Sequence, residues 1–215
     1  MMLIGDLPHT VVAVTVWAYW TSVCALVVRS HLRFRTAAGG LPRTLRERWM
    51  WALWVPAIVL WQLLPAVAAT SDNGLLATPP VALNGWLLTT VRFPAAVLAL
   101  LAFGLTIPNW LGMGRNWSMA IVPGKRSRLI TTGMFSYVRH PIYALSMLLM
   151  LATVLVTLSP AMVAVAVVHI AMLWTKAISE ERHLTMVHGR KYEDYCRRTG
   201  RFVPRLWRSA SPDDG

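Results

Sequence analysis

Five apolar stretches set the strongest limit on how this chain can fold. Each approaches the ~20 residues that a helix needs to cross the hydrocarbon core of a bilayer. They cover approximately residues 9–29, 49–69, 91–111, 141–158 and 160–179. Open strands cannot span lipid, because lipid offers no partners for their backbone N–H and C=O groups. Only 14% of the residues are charged, so the sequence predicts an all-α integral membrane protein with about five transmembrane helices.

The basic residues indicate an orientation for these spans. The chain carries 21 Lys and Arg against nine Asp and Glu, and twenty of the 21 fall within residues 29–48, 115–139 and 176–208. Five spans put those three segments on one side, which the positive-inside rule predicts to be cytoplasmic, with the N-terminus outside. A nucleic-acid function is not expected, because no recognisable reading module accompanies the charge.

Other residue types give weaker signals. Cys24 and Cys196 form no C-x-x-C pair, and His183 and His188 are off the i, i+4 spacing of a helical metal site, so no metal ligands are predicted. The first span lacks a basic leader, and a removable signal peptide is not expected. Seven Trp residues near the ends of the first three spans are predicted to anchor helices at the headgroups. They are Trp17, Trp20, Trp49, Trp51, Trp54, Trp61 and Trp110.

The last two apolar stretches are separated only by Ser159 and should form a tight antiparallel hairpin. The opposite ends of its two helices must then meet. Two clusters that are about forty residues apart in sequence thereby become one polar site at the membrane edge. The members of this predicted site are Arg139, His140, Tyr143, Glu180 and Glu181.

The two clusters carry complementary chemistry. Pro141 fits the first turn of a helix, whose free N–H groups beside Arg139 favour a carboxylate or phosphate. Glu180 and Glu181 supply the opposite charge and favour a cation. A zwitterionic ligand would use both features. In the alternative interpretation, Arg139 is a membrane anchor and its pairing with a Glu is a purely structural salt bridge.

Three motifs resemble the C-terminal half of the isoprenylcysteine carboxyl methyltransferase superfamily, which includes phospholipid N-methyltransferases and bacterial thiol methyltransferases. They are LITTGMFSYVRHPIY, EERHL and HGRKYEDYCRRTGRFVP, with GRNWS upstream. The resemblance covers about residues 112–206. The chain departs from the family pattern at Leu145, where Gly is frequent, and at Phe135, where an aromatic hydroxyl is frequent.

The resemblance implies a membrane methyltransferase that uses S-adenosylmethionine and acts on a lipophilic or prenylated carboxylate, thiol or amine from the bilayer. The composition along the chain divides it into a three-helix scaffold over 1–111 and a second half over 112–215 with an interfacial loop, the hairpin 141–179 and a cytoplasmic tail. The resemblance implies that this second half binds the cofactor. Residues of the expected cofactor site are Tyr137, Arg139, His140, Tyr143, Glu180 and Glu181. We expect only one of the two Glu residues to face the cofactor, because neighbours on a helix point about 100° apart.

The tail should continue as a helix to about His188, break at Gly189 and resume around Tyr192. It could close the site and contact an acidic acceptor through Arg201 or Arg205, or it could be a peripheral helix held by anionic membrane lipids. His169, in the middle of the fifth span, is either a functional group or a neutral His satisfied by a neighbouring helix.

Two other functions fit parts of the sequence. Sterol-type membrane reductases resemble this half and would bind NADPH, although they commonly have Asn where this chain has Ile142. A non-catalytic membrane protein that keeps the fold is the second alternative. Cofactor binding separates the three possibilities.

Overall fold

The computed structural model describes residues 2–34, 45–113 and 129–205, and these residues are overwhelmingly helical. The helices are α1 (Met2–Phe34), α2 (Leu45–Thr70), α3 (Gly85–Leu87), α4 (Phe93–Met113), α5 (Pro141–Thr157), α6 (Pro160–His188) and α7 (Arg190–Arg198). Among the described residues there is no β-strand, only one isolated bridge between Val138 and Gly200. The predicted all-α fold is confirmed.

Four helical segments are long and apolar enough to cross a membrane. They are Leu7–Arg29, Arg48–Thr70, Gly85–Met113 and Pro160–His188. α5 is a shorter apolar helix of 17 residues, about 25 Å long at 1.5 Å per residue. The chain is therefore an integral membrane protein with the architecture that the apolar stretches predicted, and α5 is the shortest of its five long apolar helices.

The predicted hairpin is present, and its turn has a clear local cause. Leu158 adopts a left-handed conformation, with φ of +50°, and ends α5. The side chain of Ser159 then caps α6 by accepting a hydrogen bond from the Met162 N–H at 3.2 Å. Pro160 occupies the first turn, where a missing N–H costs nothing. Two residues therefore reverse the chain.

Small side chains on α4 allow α5 to pack closely against it. Ala95, Ala96, Ala99 and Ala102 are all buried and recur at helical spacing. Without Cβ branches, the two backbones can approach closely, which is the usual basis of helix association in lipid. On the other side of the bundle, α2 packs against α1 and α6. This arrangement brings the ends of α5 and α6 to a common level.

The anchoring role predicted for the seven Trp residues does not hold for four of them. Trp20, Trp54, Trp61 and Trp110 are buried in the bundle core. Two of them use their indole N–H inside the bundle: Trp54 donates to His169 Nδ1 and Trp61 donates to Thr153 Oγ1, each at 3.1 Å. Internal hydrogen-bond partners and ring packing therefore outweigh the interfacial preference of these side chains.

Arg92 is the basic residue outside the three basic segments, and it is completely buried at the end of the bundle that carries the hairpin turn. Its guanidinium donates to the carbonyl oxygens of Val156, at 2.9 Å, and Ala82, at 3.3 Å. It also lies 2.6 Å from Nδ1 of His9, whose Nε2 meets Thr78 Oγ1 at 2.8 Å. We call this group the far cluster. It connects α1, the segment before α3, and the end of α5.

Candidate functional site

The start of α5 and the end of α6 carry a group of ionisable and aromatic side chains in mutual contact. The start of α5 and the end of α6 lie close together because the short hairpin turn aligns the two helices. The group consists of Arg139, His140, Tyr143, Glu180, Glu181 and Arg201, and we call it the site cluster. The contact between the two polar sequence segments that the hairpin predicted is present.

Glu181 is the electrostatic centre of the site cluster. Its Oε1 accepts from Arg139 Nε at 2.9 Å, and its two oxygens accept from Arg201 Nε and Nη2 at 3.0 and 2.7 Å. The second interaction is bidentate, the strongest geometry for an arginine and a carboxylate. Glu181 therefore connects the segment before α5 to the tail, and its acceptor capacity is largely used within the protein.

Glu180 has a different environment. Its Oε1 accepts the hydroxyl of Tyr143 at 2.5 Å, and its Oε2 lies 3.7 Å from His140 Nδ1. No arginine contacts it among the described residues. Because its shortest contact is with a neutral hydroxyl and not with an arginine, the Glu180 carboxylate is available to attract a cation. Both carboxylates thus face His140, but only Glu180 has substantial acceptor capacity left for a ligand.

His140 is stacked on Tyr143 and is incompletely hydrogen-bonded. The two rings are 5.3 Å apart and inclined by only 4°. Its Nε2 is buried and has no hydrogen bond, although it lies 3.3 Å from Glu181 Oε1 without the required alignment. A buried polar atom without a partner carries a free-energy cost. His140 is therefore the group of the cluster most in need of a further partner.

The tail is attached to the segment before α5 by backbone hydrogen bonds. The Arg139 N–H donates to the Gly200 carbonyl at 2.8 Å, and the His140 N–H donates to the Arg201 carbonyl at 3.1 Å. The Arg139 guanidinium adds bonds to the carbonyls of Thr199 and Cys196. Tyr195 donates its hydroxyl to the Phe135 carbonyl at 2.6 Å. This parallel pairing was not predicted from the sequence.

Two glycines permit this attachment. Gly189 has φ of +52° and ψ of −132°, a conformation that side chains disfavour, and it ends α6 where the sequence predicted the break. At Gly200 a Cβ atom would lie 1.7 Å from the Val203 carbonyl oxygen. Only glycine allows the backbone to approach itself so closely there. The tail consequently turns back over the site cluster.

Burial makes Cys196 a poor nucleophile. It raises the pKa of the Cys196 thiol above its ordinary value, although the nearby Arg139 acts in the opposite direction. The thiol therefore stays protonated at neutral pH. In contrast, the hydrogen bond to Glu181 raises the pKa of Arg201, so this ion pair is stable across the physiological pH range.

Lys176 belongs to the site but was missed as a site residue from the sequence. It lies on α6 one turn before Glu180, and its Nζ is 5.4 Å from the centre of the Tyr143 ring and 5.2 Å from that of Trp54. The face of an aromatic ring attracts cations. A lysine inside an apolar span, four residues before a Glu, was the available signal.

The structure separates the remaining predicted residues. Tyr137 and Arg205 do not join the site cluster and line a neighbouring cleft instead. Arg201, predicted to bind substrate, pairs with Glu181. Leu145 is buried in the bundle. His169 matches its structural interpretation, because both ring nitrogens have partners: Trp54 Nε1 and Ser146 Oγ, each at 3.1 Å. The ligand-binding roles of the cluster residues stay predictions.

Metal ligands are not grouped in the part of the chain that the structure describes. Within residues 2–34, 45–113 and 129–205, no three His, Cys, Asp or Glu side chains lie close enough together to hold an ion.

Comparison with known proteins finds similarity over about half of the chain. A family model for phospholipid methyltransferases matches residues 91–191. A stretch of 109 residues is 32% identical to the nickel-cobalt-cadmium resistance protein NccN of Alcaligenes xylosoxydans xylosoxydans, over 50% of this chain and 51% of that protein. A stretch of 108 residues is 31% identical to the cobalt-zinc-cadmium resistance protein CzcN of Cupriavidus metallidurans, over 50% of each chain.

The chain thus spans about half the length of the curated relatives that it matches. The matched family region contains α4, α5, α6 and the first residues of α7. It includes the whole site cluster except Arg201. The resemblance indicated by the three sequence motifs is confirmed, because residues 91–191 of this integral membrane protein match the phospholipid methyltransferase family model.

Proposed function

We propose that the protein transfers a methyl group from S-adenosylmethionine to a lipophilic acceptor supplied by the bilayer. The observation that carries this proposal is the site cluster itself. It combines a carboxylate with spare acceptor capacity, a histidine whose buried Nε2 lacks an aligned hydrogen bond and an aromatic face beside a cation, all where two apolar helices end. A purely structural salt bridge would need only Glu181 and its arginines.

The residues present fit the chemical groups of this cofactor. Glu180 offers an acceptor for its ammonium or ribose hydroxyls. The N–H groups that begin α5 and the imidazole of His140 are suited to its carboxylate, since α5 starts without a side-chain cap. The Tyr143 and Trp54 rings already face a cation, the Lys176 ammonium, and such faces also attract a sulfonium.

The cofactor, when bound, would supply an electrophilic methyl group, and the protein would position the reactants. Closure by the tail would exclude water, and alignment of donor and acceptor lowers the barrier by up to several kcal/mol. A carboxylate or thiolate acceptor needs no base. An amine would have to lose a proton, and His140, Glu180 and Glu181 are the groups in place to receive it.

The proposed orientation places the site cluster on the cytoplasmic side, because the basic segments flank that end of the bundle. The lipophilic character of the acceptor follows from the position of the cluster where α5 and α6 leave the apolar region. Prenylated carboxylates, thiols and amine headgroups share this property. Arg201, which closes over Glu181, is the proposed contact for an acidic group of the acceptor.

The names of the two relatives connect those proteins with resistance to nickel, cobalt, zinc and cadmium. We base the proposal on methyl transfer, because the family match contains the whole site cluster except Arg201. We propose that a protein of this kind contributes to metal resistance by methylating a component of the membrane.

Calorimetric titration of the detergent-purified protein tests the proposal. S-adenosylmethionine and S-adenosylhomocysteine should bind with micromolar affinity, and Glu180→Gln should weaken both at least tenfold. NADPH serves as the comparator and should not bind. Binding of NADPH alone would favour the reductase alternative. Absence of binding by any of the three ligands would favour the non-catalytic alternative, and either result would overturn the proposal.

A further inference from the structure

A second polar site lies beside the site cluster, on the outer surface of the tail. It is a cleft of about 600 Å³ between the segment before α5, helix α7 and the residues that follow it. Its polar lining consists of three basic side chains and five side chains that carry a hydroxyl group. These are Lys191, Arg198 and Arg205, and Thr131, Ser136, Tyr137, Tyr195 and Thr199.

The basic groups of this cleft differ from those of the site cluster in their partners. Arg139 and Arg201 are paired with Glu181, and Arg197, which does not line the cleft, lies 3.7 Å from Asp194. Lys191, Arg198 and Arg205 form no ion pair with any described residue. Two of these three do make hydrogen bonds, to the backbone carbonyls of Asp194 and Arg197, which orient the guanidinium groups but leave their charge uncompensated.

The hydroxyl groups provide donors beside this charge. Tyr137 is largely exposed, and no hydrogen bond within the described residues uses its hydroxyl or that of Thr131. Three cations and free hydroxyl donors around one cleft match the oxygens of a phosphate group. A carboxylate would use fewer of them.

The location identifies the source of the phosphate. Tyr137 precedes the first residue of the apolar helix α5 by only four positions, so the cleft lies at the level of the lipid headgroups. We propose that this cleft binds the phosphate of an anionic phospholipid headgroup and thereby holds the tail on the membrane surface. Under this proposal, Arg205 and Tyr137 bind a lipid headgroup. The sequence had predicted that Arg205 contacts the acceptor and that Tyr137 binds the cofactor. The proposal does not depend on methyl transfer.

Native mass spectrometry of the detergent-solubilised full chain tests the proposal, with phosphatidylglycerol as the probe and phosphatidylcholine as the neutral comparator. The test variant is Lys191→Gln, Arg198→Gln, Arg205→Gln. The matched control is Arg182→Gln, Arg190→Gln, Arg197→Gln, which removes the same charge from exposed positions outside the cleft. Each basic group near an anionic surface contributes roughly fivefold to binding, so the test variant should retain at least tenfold less phosphatidylglycerol than the wild type and the control.

Three other outcomes of these experiments would overturn the proposal. Equal losses in the test and control variants would mean nonspecific attraction and would overturn the proposal. No retained phosphatidylglycerol in the wild type would also overturn it. Thermal stabilisation by inorganic phosphate or glycerol 3-phosphate, without lipid retention, would assign the cleft to a soluble phosphate and reject the lipid. If the triple test variant does not fold, Lys191→Gln alone, an exposed lysine, should still lose roughly fivefold, and an unchanged value would count against the site.

Discussion

The far cluster and the site cluster use the same residue types, arginine and histidine, in opposite ways. In the far cluster, Arg92 is completely buried and donates to backbone carbonyls of α5 and of the segment before α3. In the site cluster, the side chains of Arg139 and Arg201 are 10% and 31% exposed and meet a carboxylate. The far cluster connects helices permanently, whereas the site cluster connects a tail to the bundle beside groups with capacity for a ligand.

The two clusters differ in the environment of the groups that would lose a hydrogen-bond donor if the arginine were removed. Removing Arg92 would strand backbone carbonyls in an apolar interior, where no water can replace it. The partners of Arg139 and Arg201 lie closer to water, which can compensate for part of the loss. Stability and ligand binding should therefore depend on opposite ends of the bundle.

The largest effect on stability should come from Arg92→Gln. The carbonyls of Val156 and Ala82 and the ring of His9 would lose their donor, and each buried acceptor left without a partner should cost about 1–3 kcal/mol. Thermal unfolding in detergent measures this loss. Cofactor affinity per folded molecule should stay unchanged, because the site cluster is at the other end. An unchanged melting temperature would show that the far cluster does not stabilise the bundle.

The next largest effect should come from Gly200→Ala. The added Cβ would lie 1.7 Å from the Val203 carbonyl oxygen, so the turn must open and displace Arg201 from Glu181. We expect at least tenfold weaker binding of S-adenosylhomocysteine by calorimetry and faster proteolysis of the tail, with little change in melting temperature. Gly104→Ala is the matched control, since no heavy atom lies within 4 Å of its Cβ position. Equal behaviour of the two variants would argue against a tail closed by Gly200.

Within the site cluster, substitutions of the two glutamates should affect different measurements, namely protease protection of the tail for Glu181 and cofactor affinity for both. Glu181→Gln removes the carboxylate shared by Arg139 and Arg201, so it should release the tail to protease as well as weaken binding. Glu180→Gln should weaken cofactor binding by roughly tenfold, about 1.4 kcal/mol, while the tail stays protected. If both variants release the tail to the same extent, the division of roles between the two carboxylates is wrong.

The smallest effect should come from Lys176→Met. The lysine ammonium lies over the Tyr143 and Trp54 rings, so its removal frees those faces for a sulfonium. The affinity for S-adenosylmethionine relative to the uncharged S-adenosylhomocysteine should rise by roughly two- to tenfold, the range expected for a cation over an aromatic ring. Parallel titrations with both ligands measure this ratio. A ratio that stays constant or falls would show that the rings do not bind the sulfonium.

Much of the fold was predictable because its signals are local. Apolar length identified the spans, and Ser159 with Pro160 marked the hairpin turn. Gly189 marked the end of α6 at His188. A tight hairpin also brings its outer ends together, which is why Arg139, His140 and Tyr143 could be placed near Glu180 and Glu181 before any coordinates were known.

Predictions failed or were missing where residues from distant segments compete for the same partner. Trp54 and Trp61 were expected at the interface but are buried against His169 and Thr153. The pairing of Arg201 with Glu181 was not predicted, and the substrate contact expected of Arg201 stays a prediction. Neither outcome has a local signature, because each depends on which side chain another helix or the tail presents.

The sequence by itself determined the membrane environment, the helices, the hairpin and the residues that the hairpin must bring together, since apolar length, proline and glycine act over a few residues. Only the tertiary structure decided how the charges are shared. The pairing of Gly200 and Arg201 with the segment before α5 directs two arginines to Glu181 and leaves Glu180 with Tyr143 and His140. A carboxylate interacts with whichever donors packing brings within about 3 Å, and that packing is a property of the whole bundle and its tail.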